Sequence, residues 1–157
     1  MRLNESQLLR SRATEILYIE DNPADVELWR DTLTGLPSLE VRTVGDGAQA
    51  LDYLRQAGPF ADASPPDLIL LDVSLPWIDG HHVLAEIKSD PALRTIPVIV
   101  LSSSAQHHEI ERAYELGANA YVVKPTQLSH FRDMVQAIYH FWCGAASSPK
   151  HGPAGGR

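Results

Sequence analysis

Four short apolar runs, Ile16 to Ile19, Leu68 to Leu71, Val98 to Leu101 and Ala120 to Val123, together with a second strand at Leu39 to Val44, each closed by polar or turn residues, set the rhythm of this chain. Apolar runs of this length, bounded by turn signals, read as buried strands. A helical pattern follows each. Residues 23 to 35 carry Val26, Trp29 and Leu33 at helical spacing, with Asn22 placed to cap and Pro23 at the first helical position. Residues 48 to 57 put Ala50, Leu51 and Leu54 on one face, and residues 82 to 89 do the same with Val83, Leu84 and Ile87. A helix over 106 to 116 is stopped by Gly117, where a left-handed cap is wanted. The last helix is expected from 127 to about 142. Five strand–helix units with buried strands imply an α/β domain, a parallel sheet covered on both faces. Residues 1–14 read as a flexible lead-in, 15–143 as the domain, and 144–157, rich in Gly, Ala, Ser and Pro, as a disordered tail.

Composition narrows the function. The 157 residues suit one domain, and 44% hydrophobic residues can build its core. Lys plus Arg is 13 against 20 Asp plus Glu, a net charge of -7, which argues against direct nucleic-acid binding. No apolar run approaches the ~20 residues of a membrane helix, and the first residues lack a signal-peptide core. Cys143 is the one cysteine, which excludes an internal disulfide framework. The expected setting is the cytoplasm.

Ligands of open parallel sheets bind beyond the carboxyl ends of the strands. The residues just past those ends are Glu20 and Asp21, Asp72, Ser102 and Lys124. Three clustered carboxylates repel one another unless a cation sits among them. An all-oxygen set suits a hard cation such as Mg²⁺, which shares sites with phosphate oxygens. Lys124 adds a fixed positive charge, and Ser102 a hydrogen-bond donor. That is equipment for phosphoryl transfer, which needs positioning and charge neutralisation. Asp72, on the central strand, is the candidate nucleophile, because a carboxylate can form an acyl phosphate.

These motifs resemble the receiver domain of two-component response regulators. The resemblance rests on Glu20-Asp21, on Leu68 to Asp72 with Leu75-Pro76 and Asp79-Gly80, on Val98 to Ser102, and on Lys124-Pro125. It implies a flavodoxin-like fold, a (βα)5 sandwich with sheet order 2-1-3-4-5. It further implies that Asp72 accepts a phosphoryl group from a histidine kinase. Glu20, Asp21, Asp72 and the backbone carbonyl of Ser74 would hold Mg²⁺, while Ser102 and Lys124 would contact the phosphoryl oxygens. Tyr121 would turn inward as Ser102 moves, altering the surface of the fourth helix, fifth strand and fifth helix. Moving such a two-state equilibrium from 1:99 to 99:1 takes about 5.5 kcal/mol.

A narrower resemblance is carried by Asp52-Tyr-Leu-Arg, Leu84 to Lys88, Asp90-Pro91, Leu93-Arg94, Ile96-Pro97, Gly117-Ala-Asn119 and Phe141-Trp142. It is to the small stand-alone regulators of bacterial and cyanobacterial phytochrome kinases. Glu20 replaces the commoner Asp, and Ser102 replaces Thr. Ser74 and Ser104, both small, flank the line of water attack.

Three rival functions draw on the same residues. An Asp-nucleophile phosphatase wants a second carboxylate where Ser74 stands. A flavin site needs a phosphate-cradling loop where Glu20-Asp21 would repel phosphate. A pseudo-receiver, which binds partners without phosphorylation, would not need Asp72, Ser102 and Lys124 intact. Outside the cluster, Trp29 reads as a core-edge residue, and Trp77 as either a site shield, a kinase contact or a partner for Pro76. The pairs His81-His82 and His107-His108 read as solvated helix starts. Phe131, Ile138, Phe141 and Trp142 give the last helix an aromatic end, expected to support a homodimer.

Overall fold

The computed structural model describes residues 13–36 and 39–149. Its elements, in chain order, are β1 (Thr14–Ile19), α1 (Pro23–Leu33), β2 (Leu39–Val44), α2 (Gly47–Leu54), β3 (Leu68–Asp72), α3 (Gly80–Ser89), β4 (Val98–Ser102), α4 (His107–Glu115), β5 (Ala120–Val123) and α5 (Leu128–Ile138). The strands form one sheet of order β2-β1-β3-β4-β5, and every pairing is parallel. The expected flavodoxin-like fold is therefore present.

Strand periodicity divides the core into two layers, because successive side chains point to opposite faces. Leu17, Ile19, Ile69, Leu71, Val98 and Val100 face α2, α3 and α4. Ile16, Tyr18, Leu68, Leu70, Ile99 and Leu101 face α1 and α5. Each residue of β3 and β4 is buried, whereas β2 alternates at the sheet edge. Trp29 lies inside the second layer rather than at its edge. It is fully buried, its ring centroid 5.3 Å from that of Tyr18.

Local chemistry places the helix starts. Asn22 caps α1, its Oδ1 accepting from the Ala24 amide at 3.0 Å, with Pro23 next in line. Asp46 caps α2 through the Gln49 amide at 2.8 Å, and Asp79 caps α3 through the His81 amide at 2.9 Å. A Cβ on Gly80 would stand 2.4 Å from Val73 Cα and 2.5 Å from the Asp72 carbonyl oxygen, so only glycine lets α3 start against the end of β3. Gly117, at φ +104°, ends α4 in the left-handed conformation expected of it.

Several boundaries differ from the sequence reading. β1 begins at Thr14, inside the expected lead-in. After α5 the chain continues as a π-helical turn, Tyr139–Ala145, which runs past the expected boundary at 143. Beyond it, Ser148 Oγ lies 3.2 Å from Asp67 Oδ1. The rest of the expected tail, 150–157, and lead-in residues 1–12 lie outside the described residues. α3 starts at Gly80 rather than His82, which brings His81 onto the same inward stripe as Leu84. His81 is consequently buried, with Nδ1 3.2 Å from Asp79 Oδ1, and is not a solvated helix start. His82 and His107 are exposed as expected, facing Glu86 and Glu111. Among the described residues no helix is long and apolar enough to cross a membrane.

Candidate functional site

Parallel pairing brings the carboxyl ends of β1, β3, β4 and β5 to one mouth. Glu20 follows β1, and its amide donates to the Val44 carbonyl at 3.0 Å. Asp72 closes β3, Ser102 closes β4, and the Lys124 amide donates to the Ser102 carbonyl at 2.8 Å. Glu20, Asp21 and Asp72 each offer a carboxylate oxygen, all within 4.8 Å of one another. Glu20 and Asp72 are buried and Asp21 is exposed, so the group opens to solvent on one side.

Lys124 ties the group together. Its Nζ donates to Glu20 Oε2 at 2.7 Å, to Asp25 Oδ2 at 3.0 Å and to Asp72 Oδ2 at 3.3 Å. Three carboxylates around one ammonium outweigh its burial and hold the lysine well above its ordinary range. Glu20 is in the opposite position. Burial pushes its carboxyl up to about 7, and the charge of Asp72 adds to the rise, although Lys124 opposes both. The two directions agree because the lysine faces three anions while Glu20 faces one cation and a neighbouring anion.

The Ser74 amide donates to Asp72 Oδ1 at 2.9 Å, which orients that carboxylate from the loop. Ser102 is buried, and its Oγ accepts from the Ser104 amide at 3.1 Å. Tyr121 is half-buried against the core, its hydroxyl donating to the Ser104 carbonyl at 2.8 Å. Ser104 thus links the expected switch pair Ser102 and Tyr121. Trp77 is 89% exposed in the loop after β3, so it neither shields the cluster nor packs away.

Asp25 escaped the sequence reading, which looked only at strand ends. It reaches the mouth from the first turn of α1. The Asn22-Pro23 start was the available signal: it fixes the helix frame and sets Asp25 in the turn beside the end of β1.

The donor set fits a divalent cation. Three carboxylates converge, and buried Glu20 is hard to ionise without more positive charge than Lys124 provides. This cluster stands on a five-stranded parallel sheet. The family model of the response regulator receiver domain matches residues 16–136. The chain belongs to that family. It is 40% identical to response regulator Rcp1 of Synechocystis sp. over 135 residues, 85% of this chain and 92% of that protein. It is 39% identical over 140 residues to the probable methanogenesis regulatory protein FilR2 of Methanothrix harundinacea, covering 88% of each chain. Among solved structures it resembles the phosphorylated cyanobacterial phytochrome response regulator RcpA, with TM-score 0.84 and 46% identity over 87% of this chain and 99% of that one. It also resembles the Mn(2+)-bound form of response regulator Rcp1, with TM-score 0.83 and 39% identity over 87% and 99% of the two chains. The protein is thus a receiver-domain response regulator of two-component signalling, homologous to phytochrome response regulators.

Proposed function

We propose that this response regulator receives a phosphoryl group on Asp72 from the phosphohistidine of a histidine kinase of the phytochrome type. A carboxylate oxygen of Asp72 attacks phosphorus, the phosphorus–nitrogen bond breaks, and the imidazole leaves as it takes up a proton. Glu20, Asp21, Asp72 and the Ser74 carbonyl would hold Mg²⁺, which neutralises charge on the transferring oxygens when bound. Lys124 and Ser102 hold the oxygens of the acyl phosphate. The observation that carries this reading is the convergence of Glu20, Asp21 and Asp72 around a common centre, with Lys124 bonded to two of them.

The output follows from Ser102. As its hydroxyl turns to a phosphoryl oxygen, it releases the Ser104 amide. Ser104 also carries the Tyr121 hydroxyl, so the shift reaches β5 and the flanking helices. That face and the C-terminal end display Tyr114, Val123, Leu128 and Phe141 to solvent, which supports a homodimer there. The proposed setting is the cytoplasm, with a kinase as partner. The phytochrome assignment rests on relatives such as RcpA, described as a phytochrome response regulator.

The test is phosphoryl uptake. The native protein, Asp72→Asn and an EDTA-treated sample are incubated with acetyl phosphate and Mg²⁺ and followed by intact mass. A gain of one phosphoryl group by the native protein alone is expected. Uptake by Asp72→Asn, or none by the native protein together with no binding of beryllofluoride, would overturn the assignment.

A further inference from the structure

Lys124 Nζ has three protons, and three carboxylates accept them: Glu20, Asp25 and Asp72. An ammonium has no further donor. If Lys124 is to bind a phosphoryl oxygen, one of these bonds must give way. On the reading proposed above, on which this inference rests, Glu20 and Asp72 have other work: both belong to the cation set, and Asp72 forms the acyl phosphate. Asp25 lies outside the oxygen cluster formed by Glu20, Asp21 and Asp72. It is the one anchor of the three that need not release the lysine.

We infer that Asp25 is a positioning residue, which holds the Lys124 ammonium over the mouth while its other protons turn from Glu20 and Asp72 to the phosphoryl oxygens. The placement suits that task. Asp25 is carried by the first turn of a capped helix, so its backbone is fixed. Its side chain is largely but not wholly covered, at 20% exposure, against 12% for Lys124. Both residues line one crevice of about 290 Å³, with Leu28, Ser103, Pro125 and Phe131. A lysine side chain has many rotamers, and an anchor that survives the reaction removes the entropy of fixing it each time.

Asp25 can also act merely as one more negative charge, which would repel an anionic donor. Two substitutions separate these roles. Asp25→Asn keeps an acceptor oxygen for Lys124 and removes the charge. Asp25→Ala removes both. Uptake of the phosphoryl group from acetyl phosphate, the beryllofluoride dissociation constant and the Mg²⁺ dissociation constant are measured on all three full-length proteins, with thermal melting to verify folding.

If Asp25 positions Lys124, Asp25→Ala slows uptake and weakens beryllofluoride binding by about tenfold, the scale of one charge-assisted bond. Asp25→Asn then stays within about threefold of native, since it keeps the neutral bond. The Mg²⁺ dissociation constant moves equally in both variants, because Mg²⁺ senses Asp25 only as charge. Equal behaviour of Asn and Ala in uptake and beryllofluoride binding, whether faster, unchanged or slower, would overturn the inference while leaving the acceptor assignment standing. Failure of the native protein to take up phosphoryl or bind beryllofluoride would instead overturn the acceptor assignment, and this inference with it.

Discussion

Glu20 carries a cost that a single substitution can expose. The carboxyl is buried and titrates at about 7 rather than 4.5, chiefly because burial penalises its charge. Between those two values the folded chain holds a proton that the unfolded chain has lost. Protons favour the state that binds them, so this group makes the protein more stable as pH falls from 7 toward 4.5 and less stable as pH rises. The separation between 4.5 and 7 is worth about 3 kcal/mol. The contribution is isolated by difference against Glu20→Gln. That variant is neutral at every pH; its single amide oxygen can still accept from Lys124, while the Asn22 amide, which bonds the other Glu20 oxygen in the native chain, loses its acceptor equally at every pH. Urea unfolding in EDTA should find Glu20→Gln gaining on the native protein by about 2.5 kcal/mol between pH 5 and pH 8. Mg²⁺ should cancel most of that gain at pH 8, because a ligand at a hundredfold excess over its dissociation constant adds about 2.7 kcal/mol to the state it binds. A stability difference between the two proteins that is the same at pH 5 and pH 8 would refute the reasoning.

Two further outcomes follow from residues away from the cluster. Trp77 is a non-glycine residue at φ 62° with 89% of its surface exposed, so Trp77→Gly should relieve about 1–2 kcal/mol of backbone strain, lose little packing, and raise stability by a net of about 0.5–1 kcal/mol once glycine's greater unfolded entropy is counted; a lower melting temperature for the variant contradicts this. Lys88→Met should cost about 2 kcal/mol in urea unfolding, because the Arg94 and Ile96 carbonyls and Asn119 Oδ1 all lose a donor; strict additivity with Asn119→Ala in a double-mutant cycle would sink the claim that they form one unit.

The strands were legible because burial on both faces leaves an unbroken apolar run, as in Leu68 to Leu71. Their polar successors were legible for the same reason: a charged residue directly after such a run has to emerge at the sheet end. What escaped depended on helix phase. Asp25 and His81 sit in the first turns of α1 and α3, where a shift of one or two residues in the start decides which way a side chain faces. For α1 the cap was read and the consequence for Asp25 was not. For α3, Gly80 reads from sequence as a turn residue. Only its contact with the Asp72 carbonyl shows that the helix must begin there.

Lys88, Gly117 and Asn119, from the narrower family resemblance, act far from the mouth. Lys88 Nζ donates to the carbonyls of Arg94 and Ile96 and to Asn119 Oδ1, and the same Asn119 oxygen accepts from the Val98 amide. Gly117 leaves room for the lysine stem, since a Cβ there would stand 2.9 Å from Lys88 Cγ. One lysine thus fastens the end of α3, the turn before β4 and the turn before β5. Burial pushes its ammonium down, and the three acceptors offset that cost. Val98 starts β4 and Ser102 ends it, so this staple lies about 13 Å from the reactive mouth along the strand. A motif of this kind transmits kinship through stability and says little about which kinase docks. On the proposed kinase partnership, partner choice falls to exposed residues such as Trp77 and Leu128. Exchanging those, rather than the Lys88 staple, is what should redirect the protein from one kinase to another.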